Sequence, residues 1–263
     1  MTSVQRVVEK LIEPARKFES TTDVVIKGSP HIDVTGIVIA FMLTQEVLEK
    51  AISLKANLII THEGPFYSHA NWKDKYANDP ICMAKLRLIE ESNVTIFRFH
   101  DYFHRYDPDG IMLGLIHKLE WREYIEKHQP TATTLTIPQK TVGEIATYVK
   151  AKLGAPFVRI VGDLSMQCQK IGLLAGYRGG GELVIPLFQQ HHLDLIIAGE
   201  GPEWESPEYV RDAIYQGKKR AIILIGHAVS EEPGMEYLTS IVKAEFPHIP
   251  VHYLKEDPLF QIL

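Results

Sequence analysis

Residues 57–65 read NLIITHEGP, and residues 194–202 read DLIIAGEGP. In each, a short apolar run of the kind a buried strand supplies ends in polar residues and a Gly-Pro turn. The likeness continues outward, and self-similarity of this kind bears on the whole fold. Upstream lie segments of helical period, EVLEKAISLKA at 46–56 and ELVIPLFQQHHL at 182–193. An apolar run precedes each of them, GIVIAFM at 36–42 or KIGLLAG at 170–176. Downstream, TIFRFHDYFH at 95–104 corresponds to AIILIGHAVSE at 221–231. Each carries a histidine after its apolar run and a second potential ligand four residues later. The pattern predicts two copies of one strand-helix-strand-helix-strand unit.

The rest of the chain keeps the same alternation. Strands are predicted at 35–42, 57–61, 94–99, 157–161, 170–175, 194–198 and 221–225, with helical periods between them. This places the protein in the α/β class, with mostly parallel sheets and flanking helices. Helix ends are marked locally. Asp79 before Pro80 reads as an N-cap with proline at the first helical position. Thr141 and Glu144 have the spacing of a capping box, with Gly154 as a left-handed stop. Ser206 and Pro207 open a further helix that Gly217 closes. The stretch WREYIEKHQPTATTLTIPQK at 121–140 is polar and turn-rich in its second half. It sets a boundary near residue 130, giving an N-terminal α/β domain over 1–130 and a C-terminal one over 131–263.

Composition narrows the functional classes. The chain has 263 residues, 45% of them hydrophobic, so a sizeable core is available. With 28 basic and 33 acidic residues the formal charge is −5, which gives no electrostatic footprint for nucleic acid. Cys82 and Cys168 are the only cysteines, too few for a disulfide framework or an all-cysteine zinc module. The opening MTSVQRVVEKLIEPARKF is an amphipathic helix rather than a signal peptide, with Val4, Val7, Val8, Leu11 and Ile12 on one face. No apolar run approaches the roughly 20 residues that span a bilayer. A soluble, cytoplasmic protein without membrane partners is expected.

The 12 histidines matter more by place than by number. In open α/β sheets, ligands bind beyond the carboxyl ends of the strands. Four predicted strands end there in potential ligands: THEG at 61–64, FHDYFH at 99–104, AGEG at 198–201 and GHAVSE at 226–231. Imidazole combined with carboxylate suits Zn, Fe, Mn, Co or Ni, whereas Mg and Ca prefer oxygen alone. At the turn made by Gly64 and Pro65, His62 and Glu63 can converge on a cleft; the competing reading is a packed imidazole beside a solvated carboxylate. His227 and Glu231 would project from a strand-to-helix elbow, with Ser230 as a cap for the helix that follows. The alternative there is a core histidine and a helix-dipole partner.

His100 and His104 share a face in either helix or strand, and Asp101 would then face away. His100 reads either as a ligand or as a residue that orients one. His191 and His192 read as structural or surface residues. His31, His69, His117, His128, His248 and His252 have no partner at ligand spacing and read as ordinary residues. GYRGGGE at 176–182 fits either a phosphate cradle or a tight turn that lets backbone approach the cleft. Phe66, Tyr67, Trp72, Tyr102, Phe103, Tyr106 and Trp204 flank the ligand-bearing loops. They could line a planar substrate or close a lid or interface.

Over nearly its whole length the chain resembles the Nif-three-like dinuclear metal-centre proteins, some of whose members bear the name type-two GTP cyclohydrolase I. That family carries a T-H-H-P turn, an H-T-N-L-D segment, a T-G-E turn and a G-H-x-A-T-E segment. Here they read THEGP, HDYFH, AGEGP and GHAVSE, and KAKLGAPFVRIVGD at 150–163 and the final KAEFPHIPVHYLKEDPLF also match. The resemblance implies two interlinked α/β domains, a two-metal cleft between them and a ring-shaped homo-oligomer, often a hexamer. Carried over by position, it implies metal ligation by His62, Glu63, His104, His227 and Glu231. Two of these depart from the family pattern, Glu63 standing for His and His104 for Asp. The donor set nonetheless stays at three imidazoles and two carboxylates. The long middle insertion of some relatives is absent.

The expected function is therefore that of a dinuclear metal-dependent hydrolase. Two divalent ions about 3.5–4 Å apart would polarise the substrate and activate a water. Glu231 or Glu63 would bridge them, and His100 or Glu200 would accept the proton. The expected substrate is nucleotide-like or phosphate-bearing. The competing expectation is a non-catalytic metal-binding scaffold with a regulatory or interaction role.

Overall fold

A computed structural model describes residues 2–15, 20–69 and 75–263. Arg16–Phe18 at the end of the expected first helix, and Trp72 among the flanking aromatics, lie outside the described residues. Two compact units are present. The first takes residues 1–110 and 235–256, and the second takes residues 111–234 and 257–263.

The first unit opens with helix α1 (Val4–Ile12), capped by the Ser3 hydroxyl and burying Val4, Val7 and Leu11. Its sheet combines β1 (Val25–Lys27), β2 (Ile37–Ala40), β3 (Leu58–Thr61), β4 (Thr95–Arg98) and β11 (Val251–Tyr253) in the order β1-β4-β3-β2-β11. Parallel pairing joins β11, β2, β3 and β4, with Ile37 beside Leu58 and Leu58 beside Thr95; β1 is antiparallel to β4. Strands β2, β3 and β4 are buried at every position, which is why they read as continuous apolar runs without alternation. Helices α2 (Gln45–Ser53) and α3 (Pro80–Ser92) connect them, capped by Thr44 and Asp79. Val38, Ala40, Leu48, Ala51, Ile59, Cys82 and Ile89 share one core cluster. Beyond β4 comes the short helix α4 (Asp101–His104).

The second unit begins in helix α5, which spans Gly110–Lys118. Its sheet has the order β5-β6-β8-β9-β10-β7, built from β5 (Ile125–His128), β6 (Thr133–Thr141), β7 (Arg159–Val161), β8 (Gln167–Leu174), β9 (Leu195–Ala198) and β10 (Ala221–Leu224). β8, β9 and β10 run parallel at the centre, while the outer pairings are antiparallel. Helix α6 (Val142–Leu153) starts at the complete Thr141–Glu144 capping box and stops at Gly154 with φ 65°. Helices α7 (Gly181–Gln190) and α8 (Ser206–Tyr215) link the parallel strands. Val184, Phe188, Ile196, Val210 and Ile222 form their common core. Helix α9 (His227–Glu245) belongs to this unit as far as Gly234 and to the first unit beyond it.

Each unit thus contains the same run of strand, helix, strand, helix and strand, over β2–β4 in the first and β8–β10 in the second. The two-domain α/β architecture stands. The stretch at 121–140, turn-rich in its second half by sequence, holds β5 and most of β6, whose register shifts between Thr136 and Lys140 around Pro138. A proline lacks the amide donor that a continuous ladder needs, and the shift accommodates it. Both cysteines are free and buried. Among the described residues no helix is long and apolar enough to cross a membrane.

Candidate metal centre

At the carboxyl end of the first unit's parallel strands, β3 delivers His62 and Glu63 and β4 delivers His100 and His104. His62 is fully buried, and its ring centroid lies 4.5 Å from that of His100 and 5.0 Å from that of His104. The donor nitrogens of these three histidines lie within 4.8 Å of one another. An ion about 2.1 Å from each nitrogen spans donors up to about 4.2 Å apart, so small ring rotations close the set.

The neighbours of each ring favour ligation. His62 Nδ1 is 3.2 Å from the Phe99 carbonyl, His100 Nδ1 is 2.9 Å from Asp101 Oδ1 and His104 Nδ1 is 3.0 Å from Asp109 Oδ2. An imidazole that donates from Nδ1 to an oxygen carries its lone pair on Nε2, the form a metal takes. Burial pushes the His100 imidazole down to about 4, against the opposing bond to Asp101, so at neutral pH it is uncharged. The bond to His100 in turn holds the Asp101 carboxyl well below the usual carboxylate range, helped by Thr21 and Thr22. Asp101, expected to face away, is therefore the group that orients His100.

Two further residues build this cluster without having been visible as site residues. Asp23, nearly buried, accepts the backbone N–H groups of His100 and Asp101 on Oδ1 and that of Tyr102 on Oδ2, at 2.7–2.9 Å. It caps α4 from a distant segment, so the helix carrying His104 needs no cap of its own. Burial pushes the Asp23 carboxyl up, against the pull of those three N–H groups. Arg98, 3% exposed, donates from Nε to the His62 carbonyl at 3.2 Å and from Nη1 to the His69 carbonyl at 2.5 Å. Its Nη2 lies 2.8 Å from His69 Nδ1 and 3.5 Å from Glu63 Oε2. The turn that follows β3 is thus pinned by one guanidinium. Glu63, His69 and His100 form a second set with donor atoms within 4.8 Å.

In the second unit, His227 and Glu231 lie one turn apart on α9, with His227 Nε2 3.1 Å from Glu231 Oε2. His227 Nδ1 is 3.1 Å from Glu200 Oε2, so Glu200 orients this ring as Asp101 orients His100. Glu231 is 2% exposed, and a carboxylate so buried requires a cation or strong donors beside it. Ser230 is no helix cap: it lies inside α9, its Oγ donating to the His227 carbonyl and accepting the Gly176 N–H at 2.8 Å.

The glycine-rich segment serves this pair. Gly176 has φ 65°, and a Cβ there would lie 2.0 Å from Glu231 Oε1, so only glycine lets the carboxylate stand where it does. The Gly176 carbonyl accepts the Glu200 N–H and the Gly179 N–H donates to the Glu200 carbonyl, fixing the backbone of Glu200. At the start of α7 the Gly181 N–H is taken by Glu205 Oε2 at 2.7 Å, so a carboxylate of the chain already fills the place of an anion. Of the two readings of this segment, close backbone approach is the one observed. Of the flanking aromatics, Phe66 and Phe103 are core residues, while Tyr67 and Trp204 are exposed.

The donor chemistry, clustered imidazoles with carboxylates, can hold a metal ion. A protein of Clostridium perfringens (strain 13 / Type A) named GTP cyclohydrolase 1 type 2 homolog is 24% identical over 224 residues, 82% of this chain and 80% of that protein. A protein of the same name from Mycoplasmopsis pulmonis (strain UAB CTIP) is 42% identical over 71 residues, only 27% of this chain and 28% of its own length. Among solved structures, Staphylococcus aureus hypothetical protein SA1388 superposes with a TM-score of 0.79 at 16% identity, covering 100% of this chain and 99% of that one. The Bacillus cereus protein related to NIF3 gives 0.73 at 16% identity, with 98% of each chain covered. The model of the Duf34/NIF3 (NGG1p interacting factor 3) family matches residues 1–258, and with that match and the shared fold this chain belongs to the Duf34/NIF3 family.

Proposed function

We propose that this protein binds two divalent transition-metal ions through His62, Glu63, His104, His227 and Glu231 and is a hydrolase of a nucleotide-like or phosphate-bearing small molecule. The observation that carries the reading is the cluster of buried His62 with half-buried His100 and His104, each ring held at Nδ1 by an oxygen. Relatives named GTP cyclohydrolase 1 type 2 homolog support the substrate class. Zn, Fe, Mn, Co and Ni all match an imidazole and carboxylate donor set.

Bound there, the metal supplies Lewis-acid polarisation and a water of lowered pKa. The chain's own residues do the rest. Asp101 and Asp109 keep His100 and His104 in the ligating tautomer, and Glu200 does the same for His227. Glu200, with its side chain 45% exposed, would accept the proton, or His100 would where its Nε2 is not taken by an ion. We further propose a cytoplasmic, ring-shaped homo-oligomer, to be checked by light scattering.

The test is metal analysis of the purified protein, followed by turnover on a panel of nucleotides, phosphoesters and cyclic amides. Bound metal with metal-dependent turnover supports the reading. Stoichiometric metal without turnover on any of them leaves the scaffold role instead. Alanine variants of His62, Glu63, His104, His227 and Glu231 that keep full metal content would overturn the ligand assignment.

A further inference from the structure

Outside the five ligands proposed above, His69 is the side chain whose surroundings call for a cation. It follows Glu63 in the same turn, and its ring centroid lies 5.1 Å from that of His100. Its Nδ1 and the Glu63 Oε2 lie 3.6 Å apart, and both acceptors face one cationic group, Arg98 Nη2. Two acceptors of different type converging on one positive group form a cation position, and that donor set, with His100 added, lies within 4.8 Å.

Arg98 does not depend on Nη2 for its own place, because Nε and Nη1 are anchored on the carbonyls of His62 and His69. A divalent ion has the higher charge density and can take the two acceptors from Nη2 while those anchors persist. His100 has one lone-pair nitrogen and serves one ion at a time, so an ion beside Glu63 needs a second imidazole. His69 is the imidazole within reach.

We propose that His69 is a metal ligand beyond those five, sharing the ion of Glu63. The proposal rests on the metal-centre reading above and adds one residue to it. Since the ion must compete with a guanidinium, the Glu63–His69 position fills at a higher metal concentration than the His62–His104 position. The His69 side chain is 57% exposed, so its replacement leaves the core untouched.

The experiment titrates Co(II) into the metal-stripped full-length chain, followed by visible absorption and by equilibrium dialysis with metal analysis. The wild type is compared with His69→Gln and His62→Ala. His69→Gln is expected to weaken the later binding step at least about tenfold, the scale for losing a group that supports a metal site. The earlier step and the thermal midpoint should be unchanged. A His69→Gln titration superimposing on the wild type overturns the proposal, and if His62→Ala abolishes uptake in the same series the metal-centre reading survives alone. A wild type that takes up no Co(II) overturns both.

Discussion

Replacing Asp23 tests how the imidazole cluster is held. Its carboxylate accepts three backbone N–H groups at the start of α4, the short helix that ends in His104. Asp23→Ala removes all three bonds at once. A charge-assisted bond contributes roughly 1.5–3 kcal/mol, but water reaches part of this surface and the desolvation cost of the carboxylate is returned. The net loss should be about 2–3 kcal/mol. Asp23→Asn keeps a carbonyl oxygen for the two bonds made by Oδ1, and places an amide donor against the Tyr102 N–H. Because burial already disfavours the ionised carboxyl, the neutral amide recovers part of the loss, for a net cost of about 1–2 kcal/mol. At roughly 2–4 °C per kcal/mol for a chain of this size, Asp23→Ala should melt roughly 4–12 °C lower. The assay is denaturant unfolding of the metal-stripped protein, with Co(II) titration of the same samples. Metal affinity should fall about tenfold, since His100 and His104 both depend on this helix start. An Asp23→Ala variant within about 0.5 kcal/mol of the wild type, binding Co(II) equally well, would refute the cap as the device that positions the cluster.

Gly176→Ala forces a left-handed residue, costing about 1–2 kcal/mol, and drives its Cβ into Glu231; metal titration should show a loss of 10- to 100-fold, and unchanged affinity would show that Glu231 is not a ligand. Lys85, 2% exposed, donates to the carbonyls of Leu43 and Pro65, and burial pushes its ammonium down to about 8. The unfolded chain then holds more protons between pH 8 and 10.5, so unfolding free energy should rise across that window by about 3 kcal/mol. In Lys85→Met that rise should vanish, and a rise of equal size in the variant would exclude Lys85 as its source. Chelation should lower the melting point, with about 2.7 kcal/mol lost relative to metal at 100 times its Kd; differential scanning fluorimetry with and without EDTA reads this directly.

The strands were legible because buried parallel strands are continuous apolar runs, and the helix ends because their caps lie within a turn of the residues they cap. Thr141 with Glu144, Asp79 with Pro80, and Gly154 all follow that rule. β6 was not legible, since its threonines and Pro138 give no continuous apolar run and it is held by partners 26 to 40 residues away in β8. His62, His100, His104 and His227 were legible as strand-end residues. His69 was not, because no partner at ligand spacing marks it in the sequence, and it meets Glu63 beside Arg98, which comes from another strand. Asp23 and Asp109 likewise show their roles only once α4 has been placed beside them.

From sequence alone came the α/β class, the repeated strand-helix-strand-helix-strand run and the strand ends that carry the imidazoles. These are determined by side-chain period and by short-range capping, which act over a few residues and are written directly in the chain. Tertiary structure decided which residues support the imidazoles, how the glycines at 176–181 are used, and which segments of chain each unit takes. Those depend on close approach between backbone stretches far apart in sequence, such as Gly176 against Glu231, where a single Cβ would displace the carboxylate.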